Sequence, residues 1–391
     1  MNKSSIKNKY PRVIDLKEKA IKRIPFFCSE YLLSGTGNDN TVEMNNDIFK
    51  NIFLTPKYLK GTVKPNTSQS FLGTQYSSPF GVAPIGSGGL IWPGAEVALA
   101  KMCTNKKIPY CLSSVASLSI EQVSPNLSGN GWFQLYPPKD KSIRNDIIKR
   151  ARDSGYSALV VTVDIPATAR KERLLKAGVT VPPKLNFKTF FQVISKPHWA
   201  LSALFAGTPS FGTMSKYQFF SQDEVDNSWN EMPRYIDWQY LEEIKELWKG
   251  HIILKGILDE EDALRASNIV DAIYLSNHGG RQIDMVPSPL QLLPNIRKKL
   301  GDDFPIIIDS GYSSGQDIAK ALALGADFIM LGRSFMIGIA ALGGMGADHV
   351  YYILQDELSN VMEQLCCKDI PDLKLENVAL TNDFFLNKLG E

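Results

Sequence analysis

Asp271-Ala-Ile-Tyr-Leu275-Ser276-Asn277-His278-Gly279-Gly280-Arg281-Gln282 is the stretch that decides how this chain of 391 residues is read. Its first half is an apolar run of the kind expected for a buried strand. Its second half places a base, two glycines and a fixed cation at the tip of that strand. The chain has only four histidines, at 198, 251, 278 and 349, and one of them is here. His278 is the side chain best suited to moving a proton near neutral pH. The glycines allow close approach of backbone or ligand, and Arg281 can grip a carboxylate in a two-pronged hydrogen bond. Taken alone, the stretch reads by default as a solvated turn whose Arg pairs with a surface acid, and the rest of the chain must overturn that.

Working outward, short apolar segments alternate with segments of helical period. Strands are expected at 78–83, 109–113, 131–136, 157–164, 251–256, 271–276, 305–309 and 327–331. Helices are expected at 94–106, 117–123, 140–153, 259–267, 287–298, 315–323 and 334–344. Such alternation means parallel strands with crossover helices, and eight units suit a closed (β/α)8 TIM barrel of the α/β class. A doubly wound open sheet is the competitor, but no GxGxxG opens a helix after the first strand. Residues 1–77 are expected to form an N-terminal helical cap, 78–368 the barrel and 369–391 a C-terminal tail. No repeat of short period is visible.

Between the fourth and fifth strands, residues 165–235 break the rhythm, and a connection of that length is expected to be functional or partly disordered. From Pro182 to Met214 it carries Phe187, Phe190, Phe191, Val193, Ile194, Trp199, Leu201, Leu204, Phe205 and Phe211, interleaved with Lys184, Lys188 and Lys196. Two readings fit: a surface segment lying in a membrane interface, or inserted helices packed on the barrel or on a neighbouring subunit.

Composition narrows the function classes. An apolar fraction of 44% suits a large core, and a net charge of +2 gives no sign of a nucleic-acid partner. The five cysteines, at 28, 103, 111, 366 and 367, show no metal-ligand spacing, and buried thiols in a reducing cytoplasmic setting are expected. With scattered histidines and no HExxH or CxxC, no metal is expected. The polar N-terminus does not read as a secretory signal, and no apolar run is long enough to cross a bilayer as a helix.

In a (β/α)8 barrel the active site lies at the carboxyl ends of the strands. Those ends here read Ser113-Ser114, Gln134-Leu135-Tyr136, Thr162-Val163-Asp164, Lys255-Gly256, His278 with Arg281, Asp309-Ser310-Gly311 and Gly332-Arg333. Each is weak alone; their convergence on one face carries the inference. Ser113, Gln134 and Thr162 are neutral donors and acceptors able to read the edge of a heteroaromatic ring. Lys255 could set positive charge against a ring that gains electrons. Gly311, Gly332 and Arg333 match the phosphate site of such barrels. An acid such as Asp164 beside His278 would orient the base.

These residues resemble the FMN-dependent 2-hydroxy acid dehydrogenase/oxidase family, which includes glycolate and lactate oxidases and membrane-associated L-lactate and mandelate dehydrogenases. The resemblance runs from Tyr31-Leu-Leu-Ser-Gly35 to Asp356-Glu357-Leu358, and the Ser276–Gln282 motif is highly specific for it. Supporting matches are Ala83-Pro-Ile-Gly86, Leu112-Ser-Ser114, Phe133-Gln-Leu-Tyr136, Thr162-Val-Asp164, Leu254-Lys-Gly256 and Ala321-Leu-Ala-Leu-Gly-Ala326. The resemblance implies FMN as cofactor and oxidation of an (S)-2-hydroxy acid to the 2-oxo acid. It makes His278 the base, stabilised by Asp164, with Arg281 and Tyr31 holding the substrate carboxylate and Tyr136 near the hydroxyl. It assigns Lys255, Ser113, Gln134, Thr162, Ile85 and Gly86 to the flavin ring, and Asp309, Gly311, Gly332 and Arg333 to ribityl and phosphate.

The chain departs from the family pattern at three places. Lys171, before Glu172, stands where Arg is usual, keeping the charge but losing the planar fork of a substrate contact. The position that usually gives an Arg to the FMN phosphate is Ser313, which puts flavin affinity in doubt. Val115 stands where some members carry Trp. The long insertion and Gly86 resemble the members that pass electrons to the membrane quinone pool, so a peripheral dehydrogenase on the inner face of the plasma membrane is expected, commonly a homotetramer. The alternatives are an oxygen-using oxidase of the same family and a flavin-binding member that has lost turnover. A type 2 isopentenyl diphosphate isomerase is disfavoured by His278, Arg281 and Tyr31.

Overall fold

The computed structural model describes residues 3–179, 187–207, 210–217 and 236–386. Its centre is a closed barrel of eight parallel strands. We label them β1 (Phe80–Val82), β2 (Tyr110–Ser113), β3 (Gly131–Leu135), β4 (Ala158–Thr162), β5 (His251–Ile257), β6 (Ala272–Leu275), β7 (Ile306–Ile308) and β8 (Phe328–Leu331). They follow one another around the barrel in chain order, and β8 closes onto β1. Every residue of β1–β4 and of β6–β8 is buried, because helices cover the outside and side chains fill the inside. Strands buried on both faces must be continuously apolar, which is why all eight are visible in the sequence.

One end of the barrel is plugged. A short hairpin, Gln69–Phe71 paired with Thr74–Tyr76, inserts Phe71 and Tyr76 beneath the strands. Phe71 packs 5.1 Å from Phe328 between ring centroids, and Trp132 lies 6.0 Å from Phe328. The Trp132 indole N–H donates to the Tyr76 hydroxyl over 3.3 Å, so the buried polar atoms satisfy each other. The carboxyl ends of the strands are left as the open mouth.

The first part of the segment before β1 folds over that mouth as four helices, Lys3–Lys9, Val13–Arg23, Phe26–Leu33 and Asn40–Asp47. After it, Ile52–Leu54 pairs antiparallel with Val378–Leu380, tying the C-terminal residues back to the cap. Among the helices that went unanticipated, two are long. Trp238–Leu247 supplies the crossover from β4 to β5, and Gly344–Gln364 continues well past residue 344, where the helical reading ended.

Within the insertion, Glu172–Ala177, Phe187–Ile194 and Pro197–Ala206 are helices. Pro182, Lys184 and residues 218–235 lie outside the described residues. Trp199 is 4% exposed, donates its indole N–H to the Ile91 carbonyl over 3.0 Å and meets Phe27 edge-on. Phe211 and Met214 are also buried. The insertion is thus anchored on the barrel and the cap. Many of its apolar side chains face outward: Phe187 is 86% and Phe205 87% exposed, with Phe190, Phe191, Ile194, Leu201 and Leu204 also exposed. No described helix is long and apolar enough to cross a membrane. All five cysteines are free thiols.

Candidate active site

At the strand tips a cavity of 550 Å³ opens under the cap, within the range of small-molecule sites. It is lined by Tyr31, Ile85, Gly86, Gln134, Tyr136, Thr162 and Lys171. Lys255, His278, Arg281, Asp309, Gly311, Ser313, Gly332 and Arg333 complete the set anticipated from the sequence. Asp164 and Ser113 stand behind that wall, in contact with His278 and Gln134.

His278 is held from two sides. Its Nδ1 lies 3.0 Å from Asp164 Oδ1, and its Nε2 lies 3.1 Å from the Tyr136 hydroxyl. Burial lowers the His278 pKa below its ordinary value, only partly offset by Asp164, so the neutral imidazole is favoured. Burial works to raise Asp164, but His278 and then Lys255 outweigh it and hold its carboxyl low. Burial pushes the Tyr136 phenol well above its usual range. The proton inventory therefore has Nδ1–H donating to Asp164 and the Tyr136 O–H donating to Nε2, leaving Nε2 as the basic atom.

Local backbone makes this arrangement reachable. His278, Gly279 and Gly280 all take positive φ, at 57°, 64° and 75°. A non-glycine residue in the left-handed region costs about 1–3 kcal/mol and is held there by its surroundings. On β5 the ladder is irregular between Lys255 and Ile257. Gly256 there has φ 109°, and a Cβ on it would come within 2.6 Å of the Asp164 Cβ. Glycine is what lets the acid sit behind the base.

A chain of neutral groups crosses the mouth. Ser113 donates to the Gln134 Oε1 over 2.7 Å, and the Gln134 Nε2 donates to Thr162 over 2.9 Å. Next along the rim, Lys255 is 4% exposed, donates to Ser276 over 2.7 Å and lies 3.4 Å from Asp309. Ser276 also accepts the His278 backbone N–H.

The cationic side chains are partly committed to the cap. Arg281 Nη1 donates to the carbonyls of Tyr31 and Ser34, and its guanidinium lies 5.0 Å over the Tyr31 ring. The Tyr31 hydroxyl donates to the Gly86 carbonyl. Arg333 donates to the carbonyls of Leu32, Gly279 and Ser34. Ser313 donates both its N–H and its hydroxyl to Asp317. Lys171, in the left-handed region, is pushed down to about 7 by burial and then by the Arg281 charge.

Four contributors escaped the sequence reading. Asn45 and Asn277 exchange amide hydrogen bonds of 2.9 and 2.8 Å, pinning the cap to the His278 loop. Ser276 lies inside the quoted stretch, but its link to Lys255 was not anticipated. Lys17, from the cap, lines the cavity.

The donor set suits a flat heteroaromatic ring with a phosphate tail. Neutral donors and acceptors sit along one wall and Lys255 adds positive charge. The first intrahelical bond of the Arg333–Leu342 helix runs from the Met336 N–H to the Gly332 carbonyl. The amides of Arg333, Ser334 and Phe335 precede it, as at an anion site. A Cβ on Gly332 would meet nothing nearer than 3.7 Å, so that wall is open to a ligand.

Comparison with known proteins agrees with that chemistry. The family model for FMN-dependent dehydrogenase matches residues 20–380. The chain is 33% identical to (S)-mandelate dehydrogenase of Pseudomonas putida, over 95% of each sequence. It is 36% identical to an L-lactate dehydrogenase of Haemophilus influenzae, over 93% of this chain and 96% of that protein. Among solved structures, one described as the monotopic membrane protein (S)-mandelate dehydrogenase superposes with a TM-score of 0.90 at 32% identity, covering 95% of this chain and 99% of that one. A mandelate oxidase superposes with a TM-score of 0.80 at 27% identity, with the same coverage.

Proposed function

The chain belongs to the FMN-dependent dehydrogenase family, and on that premise we propose that it oxidises an (S)-2-hydroxy acid to the 2-oxo acid, with His278 as the base and a membrane quinone as the final acceptor. The observation that carries this reading is the Asp164–His278–Tyr136 line, with its 3.0 and 3.1 Å contacts, opening onto a cavity that also holds Arg281 and Lys171. A neutral base with an anion behind it and two cations beside it suits a small hydroxy carboxylate.

When bound, FMN supplies the two-electron acceptor. The chain's own residues position and deprotonate. Arg281 and Lys171 hold the substrate carboxylate, with Tyr31 beside them. Tyr136 stays protonated and orients the substrate hydroxyl. His278 takes up a substrate proton at Nε2, and Asp164 stabilises the imidazolium that results. Gln134, Thr162 and Ser113 would hold the edge of the flavin ring, Ile85 and Gly86 would pack against it, and Lys255 would supply positive charge beside it. Asp309, Gly311, Ser313, Gly332 and Arg333 hold its tail. Holding donor carbon and acceptor together lowers the barrier by positioning.

The exposed aromatic and aliphatic face of the Phe187–Ile194 and Pro197–Ala206 helices supports peripheral docking on a membrane, where a quinone is accessible. The second reading is an oxygen-using oxidase, favoured by the similarity to mandelate oxidase. Anaerobic mixing of the purified yellow protein with a panel of (S)-2-hydroxy acids tests the class. Rapid loss of flavin absorbance with lactate-like or aromatic acids is expected, and no loss with any acid contradicts the proposal. Reoxidation by a short-chain quinone faster than by air-saturated buffer is expected; the reverse order selects the oxidase.

A further inference from the structure

The phosphate end of the cavity lacks a free cation on its own loops. Arg333 is engaged with three backbone carbonyls. Ser313 carries no charge and donates to the carboxylate of Asp317. A phosphate monoester at the Gly332–Arg333 helix start would bring net negative charge with only backbone amides and a shared guanidinium to meet it.

The cap supplies the missing charge. The Val13–Arg23 helix packs along the Arg333–Leu342 helix. Near its end, Arg23 donates to the carbonyls of Ala340 and Ala341, close to the end of the partner helix, and Val13 and Ile14 from its start line the same cavity as Arg333 and Ser334, so the two helices run in the same direction. Lys17 is six residues before Arg23, and Ser334 is six before Ala340, by subtraction of their positions. Both offsets correspond to roughly 9 Å of helix. Lys17 therefore belongs to the part of its helix that runs beside the start of the Arg333–Leu342 helix, and it lines the same cavity as Ser313, Gly332 and Arg333. It is half-buried, and among the described residues it makes no ion pair or hydrogen bond.

We propose that Lys17 is the cation that neutralises the phosphate of bound FMN, placing on the cap the charge that Ser313 does not carry. This inference rests on the cofactor and not on the hydroxy-acid reading, so a protein that binds FMN and oxidises none of the acids leaves its test intact.

The test compares two flavins. Full-length apoprotein is titrated with FMN and with riboflavin, which lacks the phosphate, following quenching of flavin fluorescence. Lys17→Gln and Lys17→Met should each weaken FMN binding roughly tenfold, as for loss of one charge-assisted hydrogen bond, and leave riboflavin affinity unchanged. Lys17→Met keeps the aliphatic stem and so preserves packing. Ser313→Arg, added to either variant, should restore FMN affinity. Equal weakening of both flavins would reveal a packing role, and no weakening of FMN would leave Lys17 a solvated helix residue; either result overturns the proposal.

Discussion

Nδ1 of His278 stands 3.0 Å from Oδ1 of Asp164, although 114 residues separate them, and Gly256 makes the approach possible. The acid follows β4 and the base follows β6, while the glycine follows Lys255 on the intervening strand β5. Three neighbouring strand tips thus build one oriented base.

Asp164→Asn should leave the flavin bound and its spectrum normal while slowing flavin reduction by substrate roughly a hundredfold or more, because the amide neither fixes the tautomer nor stabilises the imidazolium. Gly256→Ala should slow it as well without changing any titratable group, since its Cβ would displace Asp164. Anaerobic stopped-flow absorbance checks both. Reduction at the parental rate in Asp164→Asn would remove the acid from the mechanism.

Substrate affinity should fall as pH rises through about 7, because burial and Arg281 bring Lys171 down to about 7. If Lys171 holds the substrate as proposed, below that pH its ammonium would attract a carboxylate that is ionised throughout, and above it the attraction would be lost. KM should therefore rise with pH while kcat changes less. Lys171→Arg, whose charge persists, should flatten the KM profile. An unchanged profile in that variant would show that another group titrates.

Charged substitutions on the outward face of the insertion should separate membrane docking from chemistry. Phe191→Asp with Phe205→Asp should abolish co-sedimentation with vesicles containing anionic lipid, while turnover with a soluble electron acceptor stays within about twofold, as neither side chain lines the cavity. Co-sedimentation equal to that of the parent would mean that this face does not meet the membrane.

Trp132→Ala should destabilise the barrel by about 3–5 kcal/mol, the usual cost of emptying a large buried aromatic site. It should also leave the Tyr76 hydroxyl without its indole donor. Because Trp132 lies among the plug residues and not at the mouth, FMN affinity measured well below the melting temperature should be unaltered. Equal losses of stability and FMN affinity would mean that the plug and the mouth are coupled.

The sequence was most legible where burial leaves no choice. Strands such as Ile306–Ile308 and Phe328–Leu331 are buried on both faces and read as apolar runs. The Trp238–Leu247 helix was missed because it shows only two buried side chains, Leu241 and Ile244, after a long irregular insertion. The plug was missed because its three-residue strands bury only one residue each, giving neither an apolar run nor a readable period. At the site, the residues after each strand could be read in register once the barrel was assumed. Asn45 and Lys17 could not, since nothing local in the cap says that Asn45 will meet Asn277 across 232 residues.

The most direct measurement of the central claim is the anaerobic rate of flavin reduction in His278→Gln against the parent, with the (S)-2-hydroxy acid that bleaches the parent fastest. Glutamine keeps a polar side chain in place but cannot accept the proton at neutral pH. The account predicts retained FMN and a rate lower by roughly 10²–10⁴, the usual share of a general base. Reduction at the parental rate with FMN fully bound would contradict it.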